Sequence, residues 1–303
     1  MKTRLLPFND AAIAEAARLI AAGEPVAIGT ETVYGLAADA TNPNAVTRIY
    51  KAKGRPSFNP LIVHVSSLED AERIAELGPL SKRLAEQHWP GPLTLVAPLR
   101  QGTGIASLVT AGLPTIALRV PKHPAIRALL QACERPLAAP SANASGAISP
   151  TRAEHVLQSL GGRIPLIVDA GPCPGGIEST IIGEIGGQLR LLRHGPILIP
   201  EAKVVAGGQI QAPGQLISHY APGKSLRLDA CDAKDDEYLI GFGGVAGHSS
   251  LSPSGDLAEA AARLFDLLHA ADRSDKPCIA VAPIPAHGLG QAINDRLSRA
   301  AAG

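Results

Sequence analysis

Aromatic residues supply only 3% of this chain, so any core it builds must come from Ala, Leu, Ile and Val. Side chains of that kind suit short strands buried on both faces and covered by helices, as in α/β proteins with parallel strands. The sequence follows that plan. Asn9 or Asp10 can cap a helix over 11–22 that stops at Gly23. Pro25-Val26-Ala27-Ile28 is a short buried strand that delivers the loop beginning at Gly29. Further helices are expected over 44–51, 68–77, 80–88, 123–133 and 151–160, and strands at 61–65, 93–98, 115–120, 136–140 and 166–169. Residues 178–185 and 188–193 form a hairpin around Gly186-Gly187. Composition changes after Arg193: a Gly/Pro/Gln-rich connector is followed by a second α/β unit, with strands at 238–242 and 278–283 and helices over 257–271 and 291–302. The expected division is a main domain over 1–204, a linker over 205–224 and a small domain over 225–303.

Bulk properties exclude several classes of function. Charged residues make up 18% of the chain and the net charge is +1, which argues against a general nucleic-acid binder. The scarcity of aromatics argues against platforms for stacking bases. Cys133, Cys173, Cys231 and Cys278 contain no C-x-x-C pair. They read as reduced, mostly buried thiols of a cytoplasmic protein, and zinc is not expected. The N-terminus is basic but lacks the apolar run of a signal peptide, and no stretch of 18 apolar residues spans a membrane.

Against this near-neutral background, Lys51, Lys53 and Arg55 place three cations within five residues. Such a concentration suits a phosphate, although a solvated basic loop has the same composition. Neither Lys53 nor Arg55 is expected in the core. Thr30-Glu31-Thr32, Asn59 and His64 flank the cluster, and His64 inside a strand pattern is by default a satisfied core histidine. Ser141-Ala142-Asn143 follows a strand, so its side chains emerge at a strand end, where α/β proteins bind ligands. Ser149-Pro150-Thr151 reads as a helix N-cap with Pro at the first helical position, and such an N-terminus can also hold an anion. Arg119 ends a strand and points into the same crevice, or makes a surface ion pair. Arg193 before Gly195-Pro196 is similar.

Two apparent nucleotide motifs fail. Gly223-Lys224-Ser225 has Ser218 where a P-loop needs Gly, and no strand precedes it. Gly241-Phe242-Gly243-Gly244 leads into a loop rather than a helix that could hold a pyrophosphate. No carboxylate cluster has metal-ligand spacing, and no Ser-His-Asp pattern or nucleophile elbow is present. The remaining chemistry is positioning plus electrostatics, as in phosphoryl or nucleotidyl transfer.

Taken in order, these segments resemble the Sua5/YrdC/YwlC family of L-threonylcarbamoyladenylate synthases. The resemblance rests on Thr30-Glu31-Thr32-Val33-Tyr34-Gly35-Leu36, Lys53-Gly54-Arg55-Pro56, Asn59-Pro60-Leu61, Trp89-Pro90-Gly91-Pro92-Leu93-Thr94, Ala139-Pro140-Ser141-Ala142-Asn143, Ser149-Pro150-Thr151 and Gly176-Ile177-Glu178-Ser179-Thr180. Residues 212–222 resemble the linker of the longer, two-domain Sua5 type, with Gln215 and Leu216 departing from its usual pattern. Residues 288–296 resemble the end of its C-terminal domain. The implied fold is a YrdC-like twisted mixed sheet with flanking helices, plus a small Rossmann-like C-terminal Sua5 domain.

The implied reaction joins L-threonine, bicarbonate (or CO2) and ATP into threonylcarbamoyl-AMP, pyrophosphate and water, for tRNA t6A37 modification. Carried over by position, Lys53 and Arg55 are catalytic. Thr32, His64, Arg119, Ala139 and Ser179 hold threonine. Arg55, Asn59, Thr115, Ser141, Asn143, Ser149, Arg193 and Tyr220 hold ATP. Mg2+ would ride mainly on the ATP phosphates, with no metal ligands from the chain. The implied partners are a downstream tRNA threonylcarbamoyl-transferase machinery and, weakly, double-stranded RNA or tRNA. Two other readings stay open: a YrdC-like carbamoyltransferase, and an RNA-binding or ribosome-assembly factor.

Overall fold

A computed structural model describes residues 2–204 and 219–302. The first part of the chain builds one mixed sheet. Its strands and helices are β1 (Arg4–Pro7), α1 (Asp10–Ala21), β2 (Val26–Ile28), β3 (Gly35–Asp39), α2 (Pro43–Lys53), β4 (Ile62–His64), α3 (Leu68–Ile74), α4 (Pro79–His88), β5 (Leu93–Pro98), α5 (Ser107–Thr110), β6 (Thr115–Arg119), α6 (Pro124–Cys133), β7 (Leu137–Ala138), α7 (Ala153–Leu160), β8 (Leu166–Asp169), β9 (Thr180–Ile185), β10 (Gln188–Arg193) and β11 (Lys203–Val204). The strand order is β1-β8-β2-β3-β7-β4-β6-β5-β9-β10-β11. β1–β8, β8–β2, β4–β6, β5–β9 and β10–β11 run parallel and the other neighbours antiparallel.

Helices cover the sheet from two sides. Ile13, Leu19, Ile126 and Leu129 of α1 and α6 pack with Val26, Ile28, Leu166 and Val168. Val46, Ile49, Leu84 and Val156 of α2, α4 and α7 pack with Leu36, Val63, Leu95 and Leu118. Asn9 caps α1, its side chain accepting from the Ala12 amide at 2.9 Å. Gly54 ends α2 in the left-handed region at φ 60°, which glycine adopts without a Cβ penalty. Lys53 therefore falls inside the last helical turn, not in a loop beyond it.

β12 (Ser225–Arg227), β13 (Glu237–Gly241), β14 (Ser249–Ser250), α8 (Leu257–Asp272), β15 (Cys278–Val281) and α9 (Leu289–Ala301) form the second unit. Its sheet, ordered β12-β15-β13-β14, is parallel throughout. The core of this unit is shared: Leu264, Phe265, Ile293 and Leu297 pack in one cluster with Val33, Ile148 and Ile177 of the main unit. Gly176 permits that contact. At φ 70°, a Cβ there would lie 2.3 Å from the Ala261 carbonyl oxygen and 2.4 Å from Ala262 Cα on α8. Arg152–Asp266 adds an exposed ion pair across the boundary, at 2.7 Å.

Several local expectations need correction. β1, β3, α5, β11, β12 and β14 are not among the elements expected from the sequence; β3 arises because the apolar end of the Thr-Glu-Thr motif pairs with β2. Ser149 is not a helix cap. α7 begins at Ala153 after Arg152, and the Ser149 hydroxyl is taken by a carboxylate instead. Cys173 alone of the four cysteines is buried; Cys133 and Cys278 are intermediate and Cys231 is exposed, because these three sit at element ends and in surface turns.

Candidate active site

The ends of β2, β4, β6, β7, β9 and β10 open into one pocket. Thr30, Thr32, Val33, Gly35, Arg55, Ile62, His64, Arg119, Ala139, Pro140, Ser141, Glu178, Ser179, Arg193, His219 and Tyr220 form its walls. Of the residues singled out from sequence, it gathers Thr32, Arg55, His64, Ala139, Ser141, Arg119, Ser179, Arg193 and Tyr220. Lys53, Asn59, Asn143 and Ser149 stand behind these walls, and Thr115 lies at the far end of β6 from Arg119.

The wall around Arg119 is preassembled. Its Nη1 donates to the Thr32 hydroxyl at 3.0 Å and its Nε to the Gly91 carbonyl at 3.2 Å. Nη2 lies 2.7 Å from Oε1 of Glu31 as an ion pair without hydrogen-bond alignment. Burial would raise the Glu31 carboxyl, but the Arg119 charge wins and holds it down at about 2. Glu31 also accepts the backbone N–H groups of Lys122 and His123, which fixes the approach to α6. Thr30 and Thr32 share a hydroxyl contact at 2.9 Å, so the two threonines orient each other.

His64 lies next to this wall because parallel pairing sets it opposite Arg119 in β6. Burial, reinforced by the Arg119 charge, drives its imidazole down to about 3, so it is neutral at pH 7. Its Nδ1 has no hydrogen-bond partner among the described residues, which is unlike a satisfied core histidine.

The basic side is more deeply buried than a surface loop would be. Arg55 and Lys53 are 8% and 2% exposed, which overturns the expectation that neither enters the core. The cause is a set of backbone acceptors. Arg55 donates to the Asn59 and Pro60 carbonyls at 3.1 and 2.9 Å. Lys53 Nζ donates to the Ser141 and Asn143 carbonyls, each at 2.6 Å, and so grips the Ser-x-Asn loop from behind. Burial, then the neighbouring Arg55, pushes the Lys53 ammonium well below its usual range, and burial lowers Arg55 to about 10. Both side-chain polar atoms of Asn59 are buried without a partner among the described residues. Asn143 donates to the Ala147 carbonyl at 2.7 Å, and Thr115 sits at the outer start of β6.

A third wall carries Glu178, Ser179 and Arg193. Arg193 Nε donates to the Ser179 carbonyl at 3.0 Å and its Nη2 to the Ser179 hydroxyl at 3.1 Å. Ser149 donates to Glu178 Oε1 at 2.5 Å, and Arg296 of α9 donates to Oε2 at 2.8 Å. Glu31, Glu178 and Arg296 carry no role in the reading of the sequence. Glu31 and Glu178 stand inside quoted motifs and could have been weighed there, whereas Arg296 lies more than a hundred residues from the wall it supports. Glu31, behind the wall, and Glu178, in it, are both paired with arginines, and no cluster of three metal-ligating side chains occurs among the described residues.

Fold and pocket together define an enzyme of the YrdC-like class, with a cation-rich crevice at strand ends. The chain belongs to the Sua5/YciO/YrdC family: the family profile, described as telomere recombination, matches residues 18–195. A second profile, the C-terminal domain of threonylcarbamoyl-AMP synthase, matches residues 182–302. The threonylcarbamoyl-AMP synthase of Bacillus subtilis is 39% identical, over 98% of this chain and 95% of that protein. A crystal structure of Pyrococcus abyssi Sua5 complexed with L-threonine superposes with a TM-score of 0.90 at 35% identity, covering 99% of this chain and 98% of that one. Escherichia coli YciO, at 18% identity and a TM-score of 0.56, shares the fold over 64% of this chain.

Proposed function

We propose that this pocket joins ATP and L-threonine, through a carbamate made from bicarbonate, into threonylcarbamoyl-AMP. Membership of the family and synthase relatives that align over nearly the whole chain support the activity. The observation that carries the site assignment is one cavity holding a preset Arg119–Thr32 pair opposite Arg55 and Arg193.

Arg119 suits the threonine carboxylate, because its fork can accept a second anion beside Glu31. Thr32 and Ser179 offer hydroxyls, the backbone near Ala139 offers polar groups, and neutral His64 adds a hydrogen-bonding nitrogen with no further charge. The threonine amine takes up bicarbonate with loss of water to give a carbamate. A carbamate oxygen then attacks the α-phosphorus, and the bond from that phosphorus to its bridging oxygen breaks. Pyrophosphate leaves with the bonding electrons. Arg55 and Arg193 face the region where that charge grows, and stabilising it there is the catalytic contribution. Ser141, Asn59, Asn143, Ser149 and Thr115 complete the nucleotide side, directly or by holding the loops that do. Lys53 contributes by fixing the Ser141–Asn143 loop. Mg2+ is held by the nucleotide rather than by the chain, in keeping with the two arginine-bound carboxylates.

The divisions 1–204, 205–224 and 225–303 are the working parts of this scheme, with the middle segment as a lid. Residues 205–218 lie outside the described residues; His219 and Tyr220 lie within them. With both seated, the cavity encloses about 50 Å³, against roughly 300–1,000 Å³ for small-molecule sites. His219 and Tyr220 move aside to admit ATP and return over it, which shields the adenylate from water. The product passes, in the cytoplasm, to a tRNA threonylcarbamoyl-transferase machinery.

ATP consumption with each amino acid in turn, with and without bicarbonate, tests the reading. AMP-product and pyrophosphate should form with L-threonine plus bicarbonate. Equal turnover without threonine, or with carbamoyl phosphate in place of ATP, overturns it.

A further inference from the structure

Arg296 is the largest fully buried side chain among the described residues, at 0% exposure, yet it belongs to α9 of the second unit. Each part of its guanidinium is occupied. Nε donates to Glu178 Oε2 at 2.8 Å, Nη2 to the His194 carbonyl at 2.9 Å, and Nη1 to Asp295 at 2.7 Å. Its flat face lies 5.3 Å from the centre of the Tyr220 ring, within cation–π range. Glu178 and Tyr220 are both pocket walls. The other Glu178 oxygen holds Ser149, so one arginine sets a chain of contacts from α9 through Glu178 to the nucleotide side. A purely structural pair would tie the two units at any point on their boundary. This one ends on groups that face the cavity.

We propose that Arg296 is a positioning residue of the active site, which holds Glu178 and Tyr220 in the geometry that engages ATP. The proposal rests on the synthase reading above. It accounts for the docking of the second unit through a shared core: the ion pair on Glu178 at 2.8 Å comes from α9, and the first unit adds the nearby charge of Arg193. The charged and titratable groups around Glu178 are Arg296 and Asp295 from α9, Arg193 from β10, and His219 and Tyr220. Burial would raise the Glu178 carboxyl, but the charges of Arg296 and Arg193 and the Ser149 hydrogen bond hold it below its usual range. Removing Arg296 removes the first of those opposing charges, so the carboxyl must rise.

The experiment uses the full chain with Arg296→Lys and Arg296→Met, and with Arg152→Ala as a control for unit docking outside the pocket. Steady-state KM for ATP, kcat and the pH–rate profile are measured, and ATP-induced thermal stabilisation is read separately. Arg296→Met should lower kcat/KM for ATP at least about tenfold, shift the acid limb of the profile upward and weaken the stabilisation by ATP. Arg296→Lys should recover part of each effect, because it restores charge without the fork. Arg152→Ala should leave the profile unmoved. Folded Arg296 variants with parental KM, kcat and pH profile overturn the proposal, whatever happens to their melting temperature. If Arg296→Met does not fold, Arg296→Gln, which keeps a hydrogen-bond donor and removes the charge, is read in the same way. A parent that fails to turn over threonine, bicarbonate and ATP refutes the synthase reading instead, and the ATP stabilisation data still test Arg296.

Discussion

Replacing Lys53 by Met is the sharpest test of how this site is built. The substitution keeps the length and apolar stem of the side chain and deletes the ammonium. That ammonium donates to the Ser141 and Asn143 carbonyls, both at 2.6 Å, in a site where Lys53 is 2% exposed. Each carbonyl left buried and unpaired costs about 1–3 kcal/mol, or roughly 2–6 kcal/mol for the two. Part of this is offset, because the variant no longer buries a charge whose desolvation already disfavours its protonated form. The expected net loss is about 2–4 kcal/mol, a fall of roughly 3–6 °C in Tm for a protein of this size. Urea unfolding followed by far-UV circular dichroism, with the single tryptophan Trp89 as a second probe, measures it. Turnover should fall at least about tenfold under conditions where the variant is folded, because the Ser141–Asn143 loop loses its anchor. A variant within about 0.5 kcal/mol of the parent refutes the reasoning. If its rate nevertheless falls tenfold, Lys53 acts as a charge toward the phosphates and not as a clamp.

Three further outcomes are expected. Gly176→Ala should destabilise by more than about 3 kcal/mol, since the new Cβ would lie 2.3 Å from the Ala261 carbonyl. Gly186→Ala, also at positive φ but with nothing within 4 Å, should cost about 1–2 kcal/mol; equal melting of the two variants would show that the units do not meet at Gly176. Acid should destabilise the protein: burial holds His64, His155 and His219 near 3 and His269 near 4. The unfolded chain takes those protons near 6.5 while the folded chain refuses them until about 3, so stability falls as pH drops through that window. Urea midpoints at pH 7.5, 5.5 and 4.5 should decline in that order, and a constant midpoint is the contrary result. Tyr220→Ala removes a ring that is 1% exposed and stacked on Phe265. It should slow turnover at least about tenfold and raise pyrophosphate release relative to intact adenylate, and a parental rate and yield would reduce the segment to a tether.

Much of this was legible from one-dimensional signals. Aliphatic runs, helix caps and glycine stops marked α1, α2, α4, α6 and the β9–β10 hairpin close to their observed bounds, because propensity and burial agree there. β3 escaped because a strand continuous with a polar motif has no period of its own; β2 and β7 supply its pairing. The same limit governed side chains. Composition, motif order and spacing determined that this chain makes an α/β protein with cations and hydroxyls at strand ends. They could not say which cations are exposed. Lys53 and Arg55 look alike in sequence, but only Arg55 reaches the pocket, because backbone carbonyls brought from residues 141 and 143 capture Lys53. Nor could local sequence assign Arg296. Its meaning depends on a carboxylate 118 residues away, and hydrogen bonds and charge act over ångströms in space, whatever their separation along the chain.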